Sequence, residues 1–305
     1  MRTNGQLVDW IGFSPRRQRC GTVHSPEDLS RVIGQRHLSE KSVSERYDGS
    51  SFGEICAGPC AGVDPGVKYA LSLALFGSHG SMRSMLIRNG TLRSRFGLRH
   101  LEKVIETAKT PMIRAVEATL RVPDFRDPKA VSAYLTAVFA AGLVLIPFYA
   151  GAKIAKARTS VAIATRRESD KIAWSILGKL GCSPSPRAWR PGMKIQCAIF
   201  VGSASFRTPH GSAGGGSLVS HIIEALARVT LVLKVGEEYT SQKCCGCCRV
   251  LEQAAAAKQK HRVHVCKHCL SFFNRDVSSA VQICRLGRLF LRGGSRPPAF
   301  SYPSA

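Results

Sequence analysis

Acidic residues are scarce in this chain. Its 305 residues include 20 Asp and Glu against 44 Lys and Arg, which gives a formal net charge of +24 and a pI near 10.1. A deficit of negative charge this large indicates a polyanionic partner, and nucleic acid fits that description best. A merely solvated basic surface would have the same composition, so charge alone does not decide between these interpretations.

The chain also lacks a recognisable secretory signal and a regular disulfide framework. The apolar stretch at 7–13 is interrupted by Asp9 and Gly12, so we expect an intracellular protein that is not secreted. Of the 12 cysteines, half show no regular spacing, and the other half are crowded together between Cys244 and Cys269. Crowded pairs in a chain without an export signal indicate a metal site rather than disulfides.

Periodic patterning is missing at both ends of the chain. Residues 1–59 are rich in Arg, Ser and Gly, and we expect a weakly ordered basic arm there rather than a recognition domain, with at most one short helix near 27–37. The tail at 293–305 is rich in Gly, Ser and Pro and is expected to be disordered.

Charge is absent from Ala130 to Ala152, a run long enough to be a transmembrane candidate. Ser132, Thr136 and Pro147 make it only moderately hydrophobic, so we expect a buried core helix broken near Pro147 and no membrane association. The alternative, a single-pass membrane protein, predicts that the chain partitions into the membrane fraction.

Regular patterns occupy most of the remaining chain. Alternating apolar residues from Val67 to Leu75 predict a strand, followed by a return strand within 77–93 and by helical spacing from 98 to 176. A strand at 195–202, a helix at 218–229 and a strand at 230–235 complete the pattern. Strand, helix and strand in that order predict an α/β fold with parallel pairing.

Two CxxC pairs form the strongest motif, Cys244 with Cys247 and Cys266 with Cys269. Tetrahedral Zn²⁺ takes four thiolates from two such turns, so these four cysteines are the predicted zinc ligands. The neighbouring cysteines and histidines leave other ligand sets open: Cys245, Cys248, His264 and His268. A ribbon of this kind is structural, and it implies a binding surface rather than catalysis.

Three acids flank these elements: Asp64 at the mouth of the first strand, Glu238 after the strand at 230–235, and Asp276 at the start of a helix. Phosphodiester hydrolysis with two Mg²⁺ ions requires carboxylates that converge from separate elements. Each acid also has an ordinary explanation. Asp64 suits a turn, Asp276 suits an N-cap, and Glu237 with Glu238 suits a solvated pair.

The order of these motifs resembles a known family. Val63-Asp64-Pro65-Gly66, Glu238-Tyr239-Thr240-Ser241 before the first CxxC pair, and Asn274-Arg275-Asp276 after the second are similar to the TnpB proteins of insertion sequences. They are closest to the eukaryotic and viral relatives of TnpB, the Fanzor proteins. That resemblance implies an α/β, RuvC-like (RNase H-like) domain with a helical insertion and an inserted zinc ribbon. The implied layout is a first nuclease segment at 60–97, a helical insertion at 98–180, a second nuclease segment at 190–241, the ribbon at 242–272 and a last nuclease helix at 273–292.

The resemblance implies an RNA-guided, Mg²⁺-dependent DNA endonuclease with no small-molecule substrate, located in the nucleus if the host is eukaryotic. Asp64 and Asp276 match the first and third family acids. The strand ending at Gly202 lacks the usual second acid, so Glu238 is our candidate, with Glu237 behind it. The missing acid after Gly202 favours the alternative of a catalytically inactive zinc-ribbon nucleic-acid-binding transposase remnant. The region before Asp64 is also shorter than in the family, which leaves guide-RNA binding open and allows for a truncated or decaying transposon copy. The basic residues expected to contact phosphates are Lys153, Lys156, Lys258, Lys260, Arg262, Lys267 and Arg275.

Overall fold

The computed structural model describes residues 22–23, 58–66, 68–77, 81–121, 123–182, 197–203, 216–253, 262–292 and 294–300. The chain divides into two compact units. One of them is helical and is described over Arg93–Glu168. The other consists of Gln18–Leu92, Ser169–Pro209 and Ala213–Ala305, and it contains the sheets and all of the predicted acids.

A six-stranded sheet is the centre of the second unit. Its strands are β1 (Thr22–Val23), β2 (Cys60–Pro65), β3 (Tyr69–Phe76), β4 (Met82–Arg88), β5 (Ala198–Gly202) and β6 (Leu231–Val235). They lie in the order β1-β6-β5-β2-β3-β4. β2, β3 and β4 form an antiparallel meander, whereas β5 pairs parallel to β2 and β6 pairs parallel to β5. This arrangement is that of an RNase H-like sheet, so the predicted fold class is confirmed.

The N-terminal arm contributes to this sheet at one point. Thr22 and Val23 pair in parallel with Lys234 and Val235 at the edge of β6. The expectation of a weakly ordered arm throughout 1–59 is therefore wrong at β1. The short helix expected near 27–37 lies outside the described residues.

Five helices follow β4 within the described residues, and the last four lie in the region for which helical spacing was predicted. They are α1 (Asn89–Arg95), α2 (Leu98–Ala108), α3 (Pro111–Thr119), α4 (Pro128–Ala150) and α5 (Ala152–Lys179). α3 and α4 begin with a side-chain cap followed by proline, a combination that satisfies one free N–H and presets the first helical turn. Thr110 accepts from the Ile113 N–H at 3.3 Å, and Asp127 accepts from the Lys129 N–H at 2.9 Å.

The uncharged run is a helix, but it is not a buried core helix. α4 continues through Pro147 and ends at Ala150, and only 17% of its most apolar window is buried. Its buried residues are Ala141, Gly142, Leu145 and Tyr149, while Leu135, Phe139, Leu143 and Ile146 are exposed. Our expectation is therefore wrong for most of this helix. Within the described parts of the chain, it is the one helix whose length and composition would allow it to cross a membrane.

The predicted strand–helix–strand unit is present in the second unit. α6 (Gly216–Ala227) connects β5 to β6, which pair in parallel from Ala198 with Leu231 to Gly202 with Val235. All five residues of β5 are buried, as is typical of a parallel strand covered on both faces. This pairing brings the carboxyl ends of β5 and β6 to the same edge of the sheet, where Gly202 and the residues after Val235 lie side by side.

Helix α7 (Arg275–Leu291) packs directly on the central strand β2 at Gly62. A Cβ atom at this glycine would lie 1.8 Å from the Ala280 carbonyl oxygen and 2.8 Å from the Cys284 Cβ. Only glycine permits this separation, because the obstructing atoms belong to the helix backbone and cannot rotate away. The contact sets the distance between the strand that carries Asp64 and the helix that carries Asp276.

We predict that Gly62→Ala destabilises the protein by about 3 kcal/mol, because overpacking forces backbone shifts. Urea unfolding at equilibrium should report a lower midpoint. The matched control is Gly142→Ala in α4, where the added Cβ would lie at an ordinary 3.6 Å from the Ile146 Cδ1. Alanine also favours a helix over glycine by about 1 kcal/mol. Equal midpoints for the two variants would contradict the close helix–strand contact.

A second, three-stranded sheet forms the ribbon: β7 (Glu252–Gln253), β8 (Val263–Cys266) and β9 (Ser271–Asn274), all antiparallel. The composition predicted disorder from residue 293 onward, but residues 294–300 are ordered. Residues 298–300 form a short 3₁₀ helix, and Phe300 is 3% exposed in the core beside Leu231 and Leu233. The expected disordered tail is therefore wrong for residues 294–300.

Candidate functional site

The four predicted zinc ligands converge. The sulfur atoms of Cys244, Cys247, Cys266 and Cys269 all lie within 4.8 Å of one another. In each CxxC turn a backbone N–H donates to the first sulfur, from Gly246 to Cys244 at 3.2 Å and from Cys269 to Cys266 at 3.3 Å. This cluster fits Zn²⁺, which takes four thiolates in a closed structural site.

The electrostatics of the cluster also favour a metal ion. The N–H of Cys269 lowers the pKa of the Cys266 thiol to about 7, which favours the thiolate that binds a metal. The neighbouring sulfur of Cys247, more than burial, raises the pKa of Cys269 to about 12. Several thiols cannot ionise close together without a compensating cation, and Zn²⁺ supplies that charge.

The other possible ligands have different surroundings. Cys248 packs against the core of the main sheet, and burial raises the pKa of Cys245. His264 and His268 do not belong to the four-sulfur cluster. The ambiguity of the crowded sequence is thus resolved in favour of the two CxxC pairs.

Asp64 and Asp276 come from different elements. Asp64 lies near the end of β2, where it pairs with Ser72 of β3. Asp276 lies in the first turn of α7, but it is not the cap. Asn274 accepts from the N–H groups of Asp276 and Val277 at 3.1 and 3.2 Å. Since Asn274 performs the capping, the Asp276 carboxylate is left for other partners.

Those partners are two arginines. Arg262, from the ribbon, lies 3.4 Å from one Asp276 carboxylate oxygen, and Arg275 lies 3.1 Å from the other. The Asp276 side chain is 14% exposed, so both contacts form in a partly desolvated place. Arg262 also lies over the Tyr69 ring, 5.5 Å from its centroid. The ribbon therefore contacts the acidic site directly.

The second acid requires a correction. Glu238 does not face Asp64 as we expected. Its carboxylate lies 2.7 Å from the Arg296 guanidinium, in the segment after α7. Glu237 occupies the expected place instead, because a Cβ atom at Gly202 would lie 2.1 Å from the Glu237 Oε2. The absence of a side chain at Gly202 makes room for a carboxylate that arrives from the neighbouring strand.

The pKa of Asp64 reflects the presence of the other two acids. Burial, followed by the negative charges of Glu237 and Asp276, raises the pKa of Asp64 to about 7. A hydrogen bond with Ser279 and the positive charge of Arg275 oppose the increase. Carboxylates are hard oxygen ligands that suit Mg²⁺, and a divalent cation would relieve their repulsion. Asp64, Glu237 and Asp276 therefore have the ligand chemistry that Mg²⁺ requires, although the four cysteines are the only group among the described residues whose ligand atoms already converge on one point.

The basic residues predicted to bind phosphate differ in their exposure and in their ion pairs. Lys153 and Lys156 are exposed on α5, and Lys258 and Lys260 lie outside the described residues. The remaining three form ion pairs: Lys267 with Glu252 at 2.9 Å, and Arg262 and Arg275 with Asp276. No sequence pattern pointed to Ser279 or Arg296 as part of the site. The glycine at position 202 was the one signal that could have favoured Glu237.

An RNase H-like sheet with an inserted four-cysteine ribbon defines the structural class of this chain. Residues 221–283 match the family model described as Cas12f1-like, TNB domain. This segment includes β6, the whole ribbon and the first half of α7. The predicted TnpB-type relationship is confirmed over that segment, and the chain carries a Cas12f1-like TNB domain. No curated protein matches the sequence.

Solved structures that align with this chain share little sequence identity with it. A Cas12f1–sgRNA–target DNA complex has 13% identity and a TM-score of 0.36, covering 73% of this chain and 49% of its own. CasPhi-2 (Cas12j) bound to crRNA has 12% identity and a TM-score of 0.44, covering 92% and 52%. The mini-RNA-guided endonuclease CRISPR-Cas_phi3 has 10% identity and a TM-score of 0.44, covering 94% and 49%.

This chain therefore spans about half the length of each solved protein. All three TM-scores lie below 0.5, so the assignment rests on the family model and on the geometry of the residues.

Proposed function

We propose that this chain is a Mg²⁺-dependent DNA endonuclease of the TnpB type, guided by RNA, with Asp64, Glu237 and Asp276 as its metal-binding acids. The observation that carries this proposal is the convergence of the elements that bear the three acids: the Glu237 carboxylate fills the space beside Gly202, and α7, which bears Asp276, packs on β2, which bears Asp64. The acids come from β2, from the loop after β6 and from α7, yet Glu237 and Asp276 both raise the pKa of Asp64. Clusters of perturbed carboxylates are characteristic of catalytic sites.

When bound, Mg²⁺ activates the attacking water and stabilises the leaving oxygen of the phosphodiester. The residues of the chain provide the fixed geometry that this chemistry needs. Asp64 is held by the sheet and by the hydrogen bond with Ser279, and Thr240 in turn lies 3.0 Å from the Ser279 hydroxyl. Arg275 and Arg262 orient the Asp276 carboxylate from two sides. Side chains held by rigid elements are the ones that can bind metal in a productive geometry.

The net charge of +24 and the ribbon support DNA as the substrate and RNA as a partner. Sequence selection would then come from pairing between guide and target, because the described residues show no set of side chains arranged to read bases. Exposed lysines such as Lys153 and Lys156 would contact phosphates, with an affinity that falls steeply with salt. Such a protein would work inside the cell, and in the nucleus of a eukaryotic host.

The rival function is a zinc-ribbon nucleic-acid-binding protein that no longer cuts. Its main support was the missing acid after Gly202. The Glu237 carboxylate beside Gly202 weakens that support, because it places a carboxylate where the strand end itself provides none. A displaced glutamate of this kind also favours the Fanzor branch of the resemblance.

The proposal predicts different results for the two neighbouring glutamates. Glu237→Gln should lower the rate of Mg²⁺-dependent DNA cleavage by at least about 100-fold, because even groups that merely support a ligand cost about 10- to 100-fold when lost. Glu238→Gln should cost less, because an amide can still accept a hydrogen bond from Arg296. The measurement is nicking of supercoiled plasmid by protein purified together with the RNA that it retains.

Glu224→Gln on the exposed surface of α6 is the control for a change of charge alone, and it should cleave like the unmodified protein. Equal rates for the unmodified protein, Glu237→Gln and Asp64→Asn would refute the nuclease and favour the DNA-binding rival. A larger loss in Glu238→Gln than in Glu237→Gln would instead restore Glu238 as the second acid.

A further inference from the structure

The segment after α7 folds back onto the loop that carries Glu237. Phe300 is buried in the same apolar cluster as Val235, the last residue of β6. The Arg296 side chain, only 10% exposed, lies between this anchor and the loop. A buried guanidinium requires several acceptors, and the identity of those acceptors indicates what it holds.

Arg296 contacts both sides of Glu237. It donates to the Gly236 carbonyl from Nη1 and to the Glu238 carbonyl from Nη2, both at 3.2 Å. Nη2 also lies 2.7 Å from the Glu238 carboxylate, and Nε donates to the Phe300 carbonyl at 2.7 Å. A single rigid fork thus fixes the residues before and after Glu237 and ties them to the anchored 3₁₀ turn.

We propose that Arg296 is a positioning residue for the metal site, holding the loop at 236–238 so that Glu237 reaches the place beside Gly202. This inference rests on the proposed function, since it assigns Glu237 to the metal. It gives Glu238 a different role, as the carboxylate partner that keeps Arg296 in place. The segment at 294–300 then belongs to the nuclease site, although it lies beyond the last family motif.

The geometry explains why a separate clamp is needed. Asp64 lies within a strand and Asp276 within the first turn of a helix, whereas Glu237 follows the end of β6. Backbone outside a regular element lacks the ladder or helical hydrogen bonds that offset the entropy lost when one conformation is fixed. Arginine suits this task better than lysine, because its planar fork is already organised for several acceptors at once.

Titration of the zinc-loaded protein with Mn²⁺ tests this role without cleavage. Electron paramagnetic resonance of the free ion measures how much Mn²⁺ is bound. Mn²⁺ prefers carboxylate oxygens to thiolates, so the ribbon does not compete. Arg296→Met should weaken Mn²⁺ binding by about 10- to 100-fold, the range for groups that orient a metal ligand. The Mn²⁺ affinity of Arg296→Lys should lie between those of Arg296→Met and the unmodified protein. Hydrogen exchange of the 236–238 amides should become faster as the Mn²⁺ affinity falls.

A double-mutant cycle distinguishes positioning from general destabilisation. If Arg296 acts through Glu237, then adding Arg296→Met to Glu237→Gln should cause no further loss of Mn²⁺ affinity. Additive losses would overturn the proposal. Arg228→Met, which removes an exposed arginine paired with Asp170, is the control and should bind Mn²⁺ like the unmodified protein. If Arg296→Met does not fold, the Arg296→Lys variant completes the same cycle.

The same titration separates this inference from the proposed function. If the unmodified protein binds Mn²⁺ no better than Asp64→Asn, the metal site is absent and both ideas fail. If Asp64→Asn and Glu237→Gln weaken binding but Arg296→Met does not, the metal site stands and only the role of Arg296 is refuted.

Discussion

Replacement of Cys266 with serine should release one zinc ion per chain and unfold the ribbon. The small ribbon core contains Cys244, Leu251 and Cys266, and two of those three residues are metal ligands. So small a core cannot hold three short strands without the metal, and structural zinc sites contribute about 10–16 kcal/mol of apparent binding free energy at neutral pH. Zinc content by mass spectrometry and hydrogen exchange over β8 and β9 would measure the loss.

Cys248→Ser and Cys245→Ser provide matched controls within the same run of cysteines. Neither sulfur belongs to the four-sulfur cluster, so both variants should keep one zinc ion and a protected ribbon. Loss of zinc from Cys248→Ser, or retention of zinc and protection in Cys266→Ser, would contradict the ligand assignment.

Loss of the ribbon should also disturb the acidic site, because the two share residues. β9 ends at Asn274, the residue that caps α7, and Asp276 follows it in the first turn. Arg262, at the base of the ribbon, pairs with Asp276, and Gln282 of α7 donates to the Cys244 carbonyl at 2.7 Å. Zinc is therefore structural, yet its removal should weaken Mn²⁺ binding at a site to which it contributes no ligand.

Much of the fold was predictable because local patterns and global structure agree. The strands read as strands since their apolar residues alternate or run together, and the parallel unit followed from its order along the chain. The CxxC pairs were predictable because two short turns dictate where four sulfurs point. These features depend on neighbours in sequence.

The second acid was not predictable in the same way. Glu237 and Glu238 are adjacent, and the sequence contains nothing local that says which carboxylate turns toward Asp64. That choice depends on the space at Gly202 and on Arg296, residues that are remote in sequence from the loop. The ordered segment at 294–300 was missed for the same reason. Its Gly- and Pro-rich composition predicts disorder, whereas tertiary contacts of Arg296 and Phe300 fix it.

The uncharged helix shows a further limit of composition. Most of its residues are apolar, so a periodic pattern gives no indication of which face is buried. The buried face is fixed by tertiary contacts instead. Tyr149 donates to Glu117 of α3, and Lys109 lies 2.8 Å from the same carboxylate.

Asp64→Asn should abolish Mn²⁺ binding and cleavage, yet it should stabilise the Mg²⁺-free protein at alkaline pH. The pKa of Asp64 is raised from 3.8 to about 7 on folding, so the folded state retains a proton that the unfolded state has lost. The stability that this proton provides is complete below about pH 4 and is lost as the pH rises through about 7. A difference of about 3 pKa units corresponds to about 4 kcal/mol of lost stability, which asparagine does not incur because it carries no charge.

Urea unfolding at about pH 6 and about pH 9, with zinc-loaded protein dialysed into Mg²⁺-free buffer, would measure this effect. The stability advantage of the variant over the unmodified protein should be larger at the higher pH. Added Mg²⁺ should then stabilise the unmodified protein alone, since binding to the native state raises its stability. Asp170→Asn is the control, because its side chain is 42% exposed and should give no such gain. A stability difference that does not change with pH would mean that Asp64 is not held among like charges, and the acidic cluster would have to be abandoned.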